Sequence, residues 1–185
     1  MTAVDLLDVR PSPLRAVREE REVPPLRSPA ARADAVAAIA SAHADAVDRE
    51  ARFPVEAIRA AKDERLLGLM VPADLGGEGA TVSAVADVCY RLGQACASAA
   101  MIYAMHQTKV ACVVRHGAGD AWHRRFMRRI AADQLLLASS TTEGKGGGNV
   151  RSSAAAVRRD GSRIALERSA TVISYGAEAD GVVTT

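Results

Sequence analysis

The run LLLASSTTEGKGGGN, residues 135–149, decides the architecture, because the hydrophobic period of the chain changes there. Leu135, Leu136 and Leu137 lead into Ser139, Ser140, Thr141 and Thr142, a short apolar run ending in hydroxyl and β-branched side chains. That composition reads as a strand. The glycines at 144 and 146–148 then read as a loop. From Ala30 to Gln134 the pattern is mainly helical, and after it the pattern is strand-like. The expected fold class is α+β: an N-terminal all-α helical bundle over 30–134, then an incomplete antiparallel β-domain over 135–185.

Working back from the switch, Trp122, Phe126 and Ile130 recur at four-residue steps. Arg124, Arg125, Arg128 and Arg129 surround them, which predicts a helix with a solvated arginine face. Ahead of it, ASAAMIYAM (97–105) is apolar on every side, so a helix from about Ser98 to His116 should be enclosed by others. Val82, Val85, Cys89, Leu92 and Cys96 form one face of a helix starting near Thr81. Another runs through Ile58, Ala61 and Leu66 to a stop at Gly68. It begins after Phe53-Pro54, because proline disfavours helical geometry in the residue before it and suits a first turn. Val36, Ile39, Ala40, His43 and Val47 mark a helix of about five turns from Ala30. Residues 1–29 carry five of the seven prolines and read as a loosely ordered arm.

Working forward, residues 153–159, 163–167, 171–175 and 181–185 are strand-like. Asp160-Gly161 is a hairpin signal between the first two.

Composition excludes several classes of function. The 24 basic and 22 acidic residues leave a net charge of +2, which makes no electrostatic case for nucleic acid or an anionic membrane. Aromatic residues are only 3% of the chain, so the core must come from Ala, Val, Leu, Ile and Met. No run approaches the roughly 20 apolar residues that span a bilayer. The first residues lack the apolar stretch of a secretory leader, so the expected location is cytoplasmic. Cys89, Cys96 and Cys112 lie in apolar runs and are expected as buried, reduced thiols. His43, His116 and His123 have no ligand partner at helical spacing, so no metal site is expected.

Three segments in order carry a resemblance: FPVEAIRAAKDERLLGLMVPADLGGEGA (53–80), LASSTTEGKGGGN (137–149) and LERSATVISYGAEAD (166–180). The first resembles an early helix and its proline and double-glycine loop in the acyl-CoA dehydrogenase superfamily. The second resembles that family's T-E-P-x-x-G-S-D flavin loop, and the third its N-G-x-K-x-W-I-T-N-G-x-x-A-D strand. The resemblance implies an FAD-dependent oxidoreductase of fatty acid metabolism, which oxidises an acyl-CoA or acyl-carrier thioester across its α,β bond. It also implies an electron-transfer partner and a homo-oligomeric parent. The family's catalytic glutamate lies in a later helical domain. The expectation is therefore a truncated piece of a longer enzyme, with no catalytic residue of its own.

Carried over position by position, the resemblance implies cofactor contacts from Ser140, Thr141, Thr142, Gly147, Gly148, Val172, Ile173 and Ser174. Gly148 would also touch substrate, and Met101 and Met105 would border the acyl pocket. Hydroxyls and amides from strand ends satisfy the polar edge of a flavin without adding charge. The chain departs from the family pattern where Gly148 replaces a serine, Asn149 an aspartate, Ala170 a lysine and Val172 a tryptophan.

Two other readings use the same residues: a reduced-flavin monooxygenase of the same fold, and a non-catalytic interaction module that has lost its cofactor. Glu143 and His106 invite catalytic roles. A strand-end carboxylate held by loop amides and a buried hydrogen-bonded histidine are the expectations set beside those roles.

Overall fold

The computed structural model describes residues 26–117, 119–142, 155 and 157–184. Five helices precede four short strands: α1 Pro29–Arg49, α2 Val55–Asp63, α3 Val82–Ala95, α4 Ala97–Gly117, α5 Ala121–Asp133, β1 Leu137–Ser140, β2 Arg158–Asp160, β3 Arg163–Ala165 and β4 Gly181–Thr184. The arm expected over residues 1–29 falls largely outside the described residues, as do Glu143, Gly147, Gly148 and Asn149.

Local chemistry sets the helix ends. The Ser28 hydroxyl accepts the Ala31 amide ahead of Pro29, which fills the first turn of α1. Thr81 caps α3 through the Ala84 amide, and Asp120 caps α5 through the His123 amide. Apolar stripes then face inward. Val36, Ala40 and Val47 of α1 are buried, as are Val85, Val88 and Leu92 of α3 and Met127 and Ile130 of α5. Ile39 and Val82, read as core, are exposed instead.

α4 is the central helix and packs against α2, α3, α5 and β1. Ile102, Tyr103, His106, Gln107 and Val110 are buried along it, but Met101 is 62% exposed. The expectation of a helix enclosed on every side is therefore corrected: one face stays open. The thiols divide likewise, with Cys96 buried, Cys89 half-buried and Cys112 exposed.

α2 stops at Asp63, five residues before Gly68, and Arg65 turns the chain at φ 56°. Leu66, Leu67, Gly68 and Leu69 are all buried in a non-helical turn. Main-chain polar groups buried without a regular ladder need partners from elsewhere, and distant side chains supply them. Gln107 Nε2 and the Tyr103 hydroxyl donate to the Leu66 carbonyl at 2.9 and 3.2 Å. The Leu67 amide donates to Gln134 Oε1 at 2.9 Å. The loop that follows is clamped by buried Arg32, which donates to both carboxylate oxygens of Glu78 at 2.7 Å and to the Glu64 carbonyl at 3.0 Å.

The strands form two pairs. β2 and β3 are antiparallel, with Asp160 opposite Arg163, so the loop residues are Gly161 (φ 56°) and Ser162. β1 and β4 run parallel, Leu137 opposite Gly181 and Ser140 opposite Thr184. The antiparallel expectation thus holds for one pair and is corrected for the other. Parallel neighbours require a long crossover, which here contains the β2–β3 hairpin and the 166–180 segment. Residues 171–175 were expected as a strand, but they form a bend and a turn in which Tyr175 has φ 44°.

Candidate functional site

Where the open face of α4 meets the 174–178 turn there is a wide-mouthed cavity of ≈ 600 Å³. α4 contributes Ala97, Ser98, Met101, Ile102 and Met105. Phe53 and Pro54, entering α2, form a second apolar wall, and Ser174, Tyr175 and Glu178 come from the turn. The lining is mostly apolar with hydroxyls on two sides, the composition of a small-molecule pocket. Paired methionines adapt their shape to an apolar guest.

Arg52 brings a cation to the rim. Its guanidinium donates to both oxygens of Glu56 at 2.9 and 3.0 Å, to Glu50 and to the Phe53 carbonyl. The Glu56 bond raises the arginine above its usual range, while the Arg52 bond lowers the Glu56 carboxyl below its own. Arg52 therefore supports the Phe53 wall and is already engaged by protein carboxylates.

The 172–180 segment is tied to the rest of the molecule at three points. Thr142 Oγ1 donates to the Val172 carbonyl at 3.0 Å. The Tyr175 hydroxyl donates to the Leu137 carbonyl at 3.0 Å. Asp180 Oδ2 accepts the Leu136 amide at 2.7 Å and Lys62 Nζ at 2.8 Å. Burial works against the Asp180 charge, but the Lys62 and Leu136 bonds outweigh it and hold the carboxyl below its usual range.

His106 joins the helical layer to β1. Its Nε2–H donates to the Leu67 carbonyl at 2.8 Å, and Nδ1 accepts the Leu137 amide at 3.0 Å. These partners fix the neutral tautomer. Complete burial, with a further contribution from Lys62, lowers its pKa to about 4 despite the Leu67 bond and Asp180. The buried, hydrogen-bonded reading of His106 is the one the geometry shows.

Of the residues singled out in the sequence, Met101, Met105 and Ser174 meet at the cavity. Thr142 and Val172 touch each other, two residues from Ser174. Ser140 is buried in β1, where its carbonyl accepts from the Thr184 hydroxyl, and Thr141 is half-buried beside it. Val172 and Ile173 are exposed and lie outside the cavity lining. Phe53, Pro54, Ser98, Tyr175 and Glu178 were missed. The signal for Phe53-Pro54 was present but spent on a helix boundary. Among the described residues, no group of three His, Cys, Asp or Glu side chains is placed to hold a metal, and no helix is long and apolar enough to cross a membrane.

Comparison with known proteins bears on the family and the fold. Residues 29–134 match the family described as acyl-CoA dehydrogenase, N-terminal domain. A cyclohex-1-ene-1-carbonyl-CoA dehydrogenase of Geobacter metallireducens is 28% identical over 138 residues, 74% of this chain and 36% of that relative. Among solved structures, FMN-bound TdsC of Paenibacillus sp. A11-2, a dibenzothiophene monooxygenase, superimposes with a TM-score of 0.75 at 17% identity, over 85% of this chain and 39% of that one. The acyl-CoA dehydrogenase of Geobacillus kaustophilus gives 0.68 at 16% identity, over 84% and 41%. The chain thus spans little more than a third of the length of the curated relative.

Proposed function

The chain belongs to the acyl-CoA dehydrogenase family through its N-terminal domain, and on that premise we propose that the cavity between α4 and the 174–178 turn holds the reacting end of an acyl thioester against a flavin. The observation that carries this reading is the meeting of two unlike walls. Met101 and Met105 of α4 offer a deformable apolar surface, and the turn adds the hydroxyl-bearing Ser174 to the same lining. That combination fits a flavin edge on one side and an aliphatic chain on the other.

In this reading Ser174 and Thr142 lie on the flavin side, with Ser140, Thr141, Val172 and Ile173 in the surrounding segments, while Gly147 and Gly148 lie outside the described residues. Bound FAD would accept the two reducing equivalents of an α,β-dehydrogenation. The chain's own part is to bind, orient and keep water from the reacting carbons. Phe53, Pro54 and Ile102 supply the dry wall. No residue of this chain is assigned the proton abstraction. The setting proposed is a cytoplasmic, homo-oligomeric flavoprotein that passes electrons to a partner protein.

A second reading, a reduced-flavin monooxygenase, draws on the FMN-bound neighbour and on Val172, which leaves the flavin side without an aromatic cover. Anaerobic titration of flavin-loaded protein with octanoyl-CoA separates the two. A saturable shift of the flavin absorbance bands, without bleaching because this chain is assigned no proton acceptor, supports a thioester seated against the flavin. Unperturbed bands, with oxygen uptake once a reductase supplies reduced FMN, support the second reading.

A further inference from the structure

Tyr175 is the one bulky aromatic residue of the described chain with left-handed backbone geometry, at φ 44°. A side chain of that size rarely adopts such a conformation unless the surroundings enforce it. Here they do so from two directions. The ring packs against the main helical core. The hydroxyl reaches the Leu137 carbonyl at 3.0 Å, at the first residue of β1. A Cβ at the following residue, Gly176, would lie 2.7 Å from Ile173 Cγ2, so a larger residue there would displace that side chain.

The Leu137 unit is itself fixed from its other side. Its amide is held by His106, and Leu137 pairs with Gly181 across the ladder. Tyr175 therefore transmits the position of β1 to the turn. Ser174, immediately before it, lines the same cavity as Met101 and Met105. Burial raises the Tyr175 phenol to about 12, so the hydroxyl stays a donor across the working pH range.

We propose that Tyr175 is a positioning residue: its ring and hydroxyl anchor the turn to the helical core and β1, and so aim the Ser174 hydroxyl into the cavity. This inference rests on the flavin-holding reading of Ser174. It assigns no chemistry to Tyr175 itself. It also explains why the 171–175 segment leaves strand geometry just where the cavity begins.

The test uses the whole chain with FMN as the probe. Y175F keeps the ring and loses the hydroxyl; Y175N keeps a residue tolerant of left-handed geometry and loses both. Y175F and S174A are each expected to weaken FMN binding, read by flavin fluorescence anisotropy, by roughly tenfold. The double variant Y175F/S174A should be no weaker than S174A alone, because one residue acts through the other. Y175N should bind at least as weakly as Y175F. Wild-type affinity in Y175F, or losses that multiply in the double variant, would overturn the proposal.

If the wild-type chain binds neither FMN nor FAD, the flavin reading fails, and the positioning claim is decided without ligand. The Ser174 amide and the Met101 and Met105 methyl resonances of Y175F should then shift, while those of α1 and α3 stay in place. Unchanged resonances at Ser174 overturn it.

Discussion

His106 and Leu137 are joined across the boundary between helices and strands: the imidazole Nδ1 accepts the Leu137 amide at 3.0 Å while Nε2–H holds the Leu67 carbonyl. A single buried ring thus satisfies one main-chain group in the turn after α2 and another at the start of β1. Protonation would replace the Nδ1 acceptor with a donor aimed at an N–H. The bond to Leu137 exists only with neutral imidazole.

A pH dependence follows. The folded pKa of His106 is about 4, below the ordinary 6.5, so the unfolded chain binds a proton that the folded chain refuses. Its contribution is intact above about pH 6.5 and is lost progressively as pH falls towards 4, by about 3 kcal/mol in total. Lys62 and Asp180 are the charged groups acting on it, the first favouring and the second opposing the neutral form. Urea denaturation at several pH values should show this slope in wild type and its loss in H106Q. An equal slope in both proteins would contradict it.

The Arg32–Glu78 clamp should matter more than a surface ion pair. Arg32 is 1% exposed, whereas the Glu78 side chain is 30% exposed, so solvent screens one partner only. R32A strands the Glu64 carbonyl and frees the 72–80 loop, for an expected loss of about 2–3 kcal/mol. R32K keeps the charge but loses the two-pronged geometry and should recover less than half of that. Thermal unfolding checks both. A surface-like cost below ~0.5 kcal/mol for R32A would show that the clamp is decorative.

Glycine tolerance should differ sharply along the chain. A Cβ at Gly77 would sit 2.0 Å from the Val71 carbonyl oxygen, a main-chain atom that cannot move alone, whereas one at Gly119 meets nothing within 4 Å. G77A is expected to cost about 2–3 kcal/mol, and G119A to stay within ~0.5 kcal/mol of wild type. Comparable melting temperatures for the two variants would refute this.

The sequence revealed the architecture through period. The stripes of α1, α3 and α5 and the switch after Gln134 are local signals, and the structure places elements there. What it concealed depends on partners far away in the chain. α2 ends at Asp63 because Tyr103, Gln107 and Gln134 can satisfy a buried turn at Leu66–Leu67, and no local pattern announces that. The 171–175 segment has strand composition, yet the Tyr175 contact with Leu137 bends it into a turn. Met101 reads as core by hydrophobicity, and its exposure shows only once α4 has a face left uncovered beside Ser174.

The central claim is that the cavity lined by Met101, Met105 and Ser174 receives the flavin-bearing reaction. Titration of the chain with FAD and FMN, read by fluorescence anisotropy in wild type and M101W, tests it most directly. Met101 is 62% exposed, so the larger ring should fill the cavity without disturbing the core. The account predicts saturable one-to-one binding in wild type, weakened at least about tenfold in M101W at unchanged melting temperature. Wild-type protein that binds neither flavin, or M101W that binds as tightly as wild type, would contradict it.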